Sequence, residues 1–295
     1  MKEMKNTKGP EDLFALFGNP VAQSLSPLMH SEAYRAMGIR ARYEACRAGD
    51  PEDVIRRIRE KNIRGASVTI PFKTAVMAFL DEVNEDARMI GAVNTIRNLG
   101  GRLEGFNTDW IGLTRSLKER LDIRGKRFAV LGSGGAARAA VFGIAREGGI
   151  PIVFCRNRET GKALSRDLRC LMLPLSRLHT AEVYGLVNTT PVGMAGCETV
   201  TLVDRSVLDR IGWVMDTIYN PLRTKLLQDA ATSGCGVIDG LSMFVHQGAE
   251  QIRLWTGMDP PVDIMTAVVR DELLNRMNLT GADEKDKREG RYAGS

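Results

Sequence analysis

Short apolar runs alternate with amphipathic stretches along most of the chain, and that order predicts an α/β protein. Leu13 to Phe17 reads as a strand closed by Gly18-Asn-Pro20. Ser26-Pro27 reads as a helix entry, a hydroxyl cap followed by proline in the first turn. Ala41 to Arg47 predicts a second strand and Pro51 to Lys61 an amphipathic helix. Gly65 to Ile70 is a third strand broken by Pro71, with Phe72-Lys73 opening the next helix. Val93 to Arg97 and Arg102 to Phe106 form two strands joined through Gly100-Gly101. Asp109 to Leu121 is then the helix that leaves this first αβ unit.

The next run organises the rest. Phe128 to Leu131 is a buried strand that runs into Gly132-Ser133-Gly134-Gly135-Ala136 and an alanine-rich helix ending near Arg146. Strand, glycine turn and helix in the form Gly132-x-Gly134-x-x-Ala137 is the pattern of a dinucleotide-binding βαβ unit. Gly132 permits the tight turn, Gly134 lets backbone approach a pyrophosphate, and the helix N-terminus offers free N–H groups to phosphate. Glycines also mark ordinary turns, so the motif draws its weight from context. Pro151 to Cys155 follows as a second strand, and Leu186 to Thr190 and Trp213 to Asp216 continue the pattern. Met243 to Thr256 and Val262 to Arg276 are helices expected to return to the first unit. The organisation is therefore residues 1–108, a nucleotide domain over 109–239, returning helices over 240–279 and an unstructured charged tail over 280–295.

Composition narrows the class. At 295 residues the chain suits two cores rather than one. No apolar run approaches the ~20 residues that span a bilayer, and the charged N-terminus lacks a signal-peptide core, so a cytoplasmic protein is expected. Cysteines 46, 155, 170, 197 and 235 are odd in number and widely spaced. They point to reduced thiols, neither a disulfide framework nor a metal site. The net charge of +5 is spread over faces that mix both signs, which suits an anionic ligand and makes no case for nucleic acid.

A nucleotide domain beside a polar-rich partner suggests an oxidoreductase closing on a small substrate. Hydride exchange at an alcohol carbon needs a partner for the hydroxyl proton. A zinc alcohol dehydrogenase needs a cysteine-rich site, and the short-chain type needs Tyr-x-x-x-Lys; both are missing here. His30, His179 and His246 lie where packing or surface roles fit. Lysine remains. Lys73 follows a strand end where a side chain can project over a cleft, and Asp109 stands where one unit hands over to the other. Taken singly, each reads more readily as a surface charge or a helix cap, Asp109 having good credentials as an N-cap. Together they make a workable acid–base pair.

Several ordered motifs then carry a resemblance. Ser24-Leu-Ser-Pro27, Ser67-Val-Thr-Ile-Pro-Phe-Lys73, Gly91-Ala-Val-Asn-Thr95, Gly105-Phe-Asn-Thr-Asp109, Gly132-Ser-Gly-Gly-Ala136, Asn188-Thr-Thr-Pro-Val-Gly-Met194, Tyr219-Asn-Pro221 and Gly240-Leu-Ser-Met243 resemble, in sequence order, the shikimate dehydrogenase family over about residues 12 to 279. The resemblance implies an N-terminal αβ substrate domain, a Rossmann-like NADP-binding domain and an active site in the cleft between them. It implies Lys73 and Asp109 as the catalytic pair. Ser24 and Ser26 would take the substrate carboxylate, and Thr69, Asn94, Asp109 and Gln247 its hydroxyls and polar edge, with Tyr219 closing the other side. For the cofactor it implies Gly132, Ser133, Gly134, Gly135, Ala136, Asn157, Arg158, Lys162, Thr189, Ile218, Gly240, Met243 and, at the margin, Glu85. The reaction would be reversible reduction of 3-dehydroshikimate to shikimate, by a monomer or homodimer with no membrane or nucleic-acid partner and no metal.

Two positions depart from the family pattern. Ser67 stands where asparagine is usual, and Gln23 where histidine is common. The first bears on affinity and substrate breadth. At the end of the second nucleotide-domain strand stand Arg156-Asn157-Arg158, then Glu159 and Lys162. Three positive charges against one negative favour the extra phosphate of NADP over NAD. The rival readings are a quinate/shikimate dehydrogenase with broader substrate or NAD use, and a silent metabolite sensor built on the same fold.

Overall fold

The computed structural model describes residues 11–292, with side chains as far as residue 277. The charged tail expected over 280–295 lies outside these described side chains. In chain order the first elements are β1 (Asp12–Gly18), α1 (Ser26–Ala36), β2 (Ala41–Arg47), α2 (Pro51–Glu60), β3 (Gly65–Val68), β4 (Glu82–Val83), α3 (Glu85–Ile90), β5 (Thr95–Leu99) and β6 (Arg102–Phe106). They are followed by α4 (Asp109–Lys118), β7 (Arg127–Leu131), α5 (Gly135–Arg146), β8 (Ile150–Cys155), α6 (Arg158–Leu168), β9 (Leu171–Pro174) and β10 (Gly185–Asn188). Then come α7 (Arg205–Leu208), β11 (Trp213–Asp216), α8 (Lys225–Thr232), β12 (Gly236–Ile238), α9 (Gly240–Thr256) and α10 (Val262–Tyr292).

The strands form two six-stranded sheets. The first runs β2-β1-β3-β5-β6-β4, with β5 antiparallel to both β3 and β6. Its period-two alternation explains its two cores. Phe14 and Leu16 of β1 face α1, α9 and α10, where Met29, Tyr34, Ile252, Trp255 and Val269 fill one cluster. Ala15 and Phe17 face the opposite way, onto Val54, Ile55 and Ile58 of α2. The two C-terminal helices thus pack against the first sheet.

The second sheet runs β12-β11-β10-β7-β8-β9 and is parallel throughout. Counted from β7, that is the doubly wound order in which the strand direction of winding reverses between β7 and β10. Ligands bind at such a switch point, outside the carboxyl ends of the strands. Helix α4 joins the two halves, packing along both α9 and α5.

Three local expectations are corrected. Phe72-Lys73 does not open an α-helix; after Pro71 the chain makes turns and then a 3-10 helix over Ala75–Phe79. Ser26 is the first residue of α1 rather than its cap, since Leu25 precedes it and no side chain caps the helix. Asp109 likewise begins α4 behind Thr108, with no side-chain cap. In each case the side chain that local rules would spend on a helix end is directed elsewhere.

Candidate active site

That elsewhere is one cavity of about 530 Å³. Its wall comes from the loop after β1 (Pro20 to Ser26), the end of β3 (Ser67 to Ile70), Lys73, Asn94, Asp109, the loops after β10 and β11, and one face of α9. It therefore opens between the carboxyl ends of strands from both sheets. Ser24, Ser26, Thr69, Asn94, Asp109, Tyr219 and Gln247 all line it together with Lys73. Among the described residues, Lys73 and Asp109 are the only charged side chains in this wall.

The pair is in direct contact. Lys73 Nζ donates to Asp109 Oδ2 at 2.6 Å, with side-chain exposures of 16% and 7%. So little water reaches the pair that their attraction is weakly screened. The second carboxylate oxygen, Asp109 Oδ1, accepts from Asn94 Nδ2 at 2.8 Å. Asn94 is itself buried and fixed: its Oδ1 accepts from Thr108 N at 2.7 Å and from Thr95 Oγ1 at 2.8 Å. Asn94→Ala would strip Asp109 and Thr108 of partners inside the fold. We expect a loss of about 2 kcal/mol in unfolding free energy, read by urea titration, since an orphaned buried group costs its full desolvation. A change below about 0.5 kcal/mol would mean water replaces the amide without penalty.

The polar wall continues around the cavity. Ser24 Oγ donates to Ser26 Oγ at 3.2 Å, so the two hydroxyls stand side by side. Gln247 Nε2 donates to Phe244 O at 2.8 Å, which turns its Oε1 toward Asn94. Tyr219 stacks on Phe244 with ring centroids 4.1 Å apart, and burial pushes its phenol above the usual value. Ser67 does line the cavity, but its hydroxyl is engaged behind it. It accepts from Tyr43 OH at 2.6 Å and donates to Gln251 Oε1 at 2.8 Å.

Sequence reading missed Gln251, Phe244 and Met194 in this wall. For the first there was a signal: Met243, Gln247 and Gln251 recur every fourth residue, one face of α9. Met194 comes from a loop in the other half; it ends the motif Asn188 to Met194, which carried the resemblance but gave this side chain no role.

Beside the cavity lies the glycine turn. Gly132 has φ +116°, a conformation that side chains rarely adopt, and Thr189 packs under it with its hydroxyl donating to Leu131 O at 2.5 Å. Helix α5 begins at Gly135 with no side-chain cap, so its first N–H groups point out of the turn unclaimed by a side chain. Ser133 Oγ lies 2.7 Å from Thr160 Oγ1, which sets the turn against the start of α6. Asn157 caps α6, accepting from the N–H of Glu159 and Thr160. Arg156, Arg158, Glu159 and Lys162 are exposed there. Ile218 and Met243 line the cavity, and the start of α9 at Gly240 touches the backbone of Ile218. Glu85 stands apart, exposed at the first position of α3.

The loops near the switch point share one anchor. Asp216, fully buried at the end of β11, accepts from Thr224 Oγ1 at 2.7 Å, Asn188 Nδ2 at 3.0 Å and Ile218 N at 3.1 Å. Burial pushes its carboxyl up to about 6 despite these donors.

A parallel doubly wound sheet with an uncapped glycine turn, next to a cleft holding a lysine–carboxylate pair, defines a two-domain nucleotide-dependent oxidoreductase. Comparison narrows this class. Residues 16–96 match the shikimate dehydrogenase substrate binding domain, and residues 240–270 the shikimate 5'-dehydrogenase C-terminal domain. The chain is 40% identical over 264 residues to a Pyrococcus abyssi protein named shikimate dehydrogenase (NADP(+)), covering 88% of this chain and 98% of that one. Its fold superposes on the Thermus thermophilus shikimate 5-dehydrogenase in complex with NADP(H) and shikimate, with TM-score 0.81, 36% identity and coverage of 88% and 99%. The Listeria monocytogenes enzyme in complex with shikimate and NAD gives TM-score 0.80 at 33% identity, covering 90% of this chain and 99% of that one. The chain belongs to the shikimate dehydrogenase family.

Proposed function

We propose that this chain is an NADP-dependent oxidoreductase that reversibly reduces 3-dehydroshikimate to shikimate, a step of aromatic amino-acid biosynthesis. The observation that carries the reading is the Lys73–Asp109 contact in the wall of a hydroxyl-rich cavity beside the glycine turn. A relative matched over 98% of its own length carries that name, and one solved relative holds NADP(H) and shikimate together. In this reading residues 1–108 with 240–279 form the substrate unit, and 109–239 the nucleotide unit.

The residues around the turn fit a dinucleotide. Gly134 has no heavy atom within 4 Å of a would-be Cβ, so backbone there is open to a phosphate. The basic side chains Arg156, Arg158 and Lys162 stand at the start of α6, which the Ser133–Thr160 contact sets against the turn. Gly132, Ser133, Gly135, Ala136 and Asn157 complete that rim, with Thr189, Ile218, Gly240 and Met243 toward the cavity. Bound NADP supplies hydride exchange at its nicotinamide ring. The chain supplies the rest. In reduction Lys73 gives a proton to the oxygen of the reacting carbon, and in oxidation it takes that proton back. Asp109 holds the lysine in place through Oδ2 and is itself held by Asn94 through Oδ1.

The paired hydroxyls of Ser24 and Ser26 bind the ring carboxylate, while Thr69, Asn94 and Gln247 bind ring hydroxyls and Tyr219 closes the far side. Such a wall rejects analogues lacking those groups, because its buried donors and acceptors would go unpaired. Ser67 contributes little directly, its hydroxyl being tied to Tyr43 and Gln251.

The test is the absorbance of NADPH formed from NADP and shikimate. Turnover is expected, with kcat/KM for NADP above that for NAD by about tenfold or more, the worth of a charge-assisted phosphate contact. A clear preference for NAD would overturn the cofactor assignment. Turnover of quinate with none of shikimate would overturn the substrate.

A further inference from the structure

The three glycines of the turn do different work. Gly132 meets the strain of a positive φ, and Gly134 faces open space. Gly135 faces inward. A Cβ at that position would stand 3.3 Å from Lys73 Cβ, 3.3 Å from Lys73 Cδ and 3.6 Å from Ala92 Cβ. Its backbone lies outside the left-handed region, so the conformation itself does not demand glycine. The stem of the lysine favours it, because both contacts are tighter than ordinary van der Waals packing. We infer that Gly135 is a positioning residue for Lys73: by leaving its side open, the first residue of the phosphate-facing helix sets where the lysine amine meets Asp109. This rests on the reaction proposed above.

The frame around the contact has little slack. The Lys73 carbonyl accepts from Val93 N at 2.7 Å, which fixes its main chain to the stretch leading to Asn94. That stretch is in turn fastened to α5, because Arg138 Nη1 donates to Ile90 O at 2.9 Å while Nη2 binds Asp167 of α6 at 2.6 Å. Asn107 Nδ2 holds Ala92 O at 2.9 Å from the other side. An added methyl at position 135 asks for a shift of a few tenths of an ångström, and this frame resists it at the backbone, where the methyl meets Lys73 Cβ. The contact with Lys73 Cδ yields more easily, through the side-chain torsions of Lys73. Turning them carries Nζ away from Asp109 Oδ2, the atom it now meets at 2.6 Å. The charged neighbours are few, so the displacement can be read cleanly. Among the described residues of the cavity wall Asp109 is the only other charged group and Tyr219 the only other titratable one, while Arg138 on α5 is engaged with Ile90 and Asp167.

Gly135→Ala tests this, and alanine in the first turn of a helix favours folding. Three readouts are compared with wild type and with Gly134→Ala: kcat and KM for NADP and shikimate, the pH profile of kcat, and the NMR signal of ¹³C-dimethylated Lys73 in protein without dinucleotide. The signal is assigned by its loss in Lys73→Ala. For Gly135→Ala we expect kcat to fall about 3- to 10-fold, the scale of a misplacement of a few tenths of an ångström at a reacting group. KM for NADP should stay within about twofold, the kcat profile should shift along the pH axis, and the Lys73 resonance should move. Gly134→Ala should raise KM for NADP and leave the Lys73 resonance at its wild-type position. A wild-type kcat in Gly135→Ala overturns the inference, and so does a raised KM for NADP with an unmoved resonance. Absence of shikimate turnover in the wild type would sink the proposed reaction instead, with the resonance still reporting on the contact.

Discussion

Lys73→Ala is expected to lower kcat about 10³-fold while KM for shikimate changes by less than about fivefold, the pattern of a lost proton-transfer group. The geometry argues for the separation. The hydroxyls and amides that bind the ring, Ser24, Ser26, Thr69 and Gln247, do not depend on the lysine for their own positions. Asp109 keeps its bond from Asn94, so one oxygen of the carboxylate stays fixed after the amine is gone. What disappears is the only cation that the described residues put in the cavity wall, and with it the proton that the alkoxide needs. Steady-state rates in both directions, with thermal unfolding as a check on folding, decide the matter. Turnover near the wild-type value would remove the lysine from the mechanism.

His30→Phe is expected to make stability less sensitive to acid. His30 is fully buried in α1, its ring 4.2 Å from that of Tyr43 at an interplanar angle of 11° and 5.6 Å from that of Trp255. Neither ring nitrogen completes a hydrogen bond among the described residues. Burial pushes the imidazole down to about 3, with the side chain of Gln251 opposing weakly. The folded state thus keeps this histidine neutral while the unfolded chain takes up a proton near the ordinary value. Stability is whole above pH 6.5 and is lost as pH falls from there toward 3, at about 1.4 kcal/mol per unit. Asp216 acts in the opposite sense, since its raised carboxyl binds a proton in the fold before the unfolded chain does. That contribution is common to wild type and variant and cancels in the difference. Between pH 7 and 4.5 the variant should lose about 2–3 kcal/mol less than wild type in urea unfolding. Parallel losses would mean that the histidine is protonated inside the fold. Phenylalanine keeps an aromatic ring between Tyr43 and Trp255, so the comparison isolates the charge.

Some of this was legible early because it is periodic or local. Leu13 to Phe17 is apolar throughout and reads as a strand, and β1 does form there, facing one cluster with Phe14 and Leu16 and another with Ala15 and Phe17. The strand, glycine turn and helix around Gly132 are a contiguous signal, and the structure places them at the switch point of a parallel sheet. Short elements escaped. The two-residue strand β4 and the six-residue helix α3 carry too few positions to show a period, yet α3 ends in Gly91 and leads the chain to Asn94.

The sequence by itself determined the α/β class, the dinucleotide turn and, through ordered motifs, the family. It could name Lys73 and Asp109 without showing that they touch. A helix-capping role for Asp109 and Ser26 was equally consistent with their neighbours in the chain, because capping is a rule about adjacent residues. Only the packing of two sheets decided against it, by bringing residues 36 positions apart to 2.6 Å and turning both serine hydroxyls toward one cavity. The same holds for Ser67, whose reach is set by Gln251 184 residues away, and for Gly135, whose missing side chain matters because of Lys73. Local propensity depends on a few neighbouring dihedrals; the position of a reacting atom depends on the closure of the whole core around it.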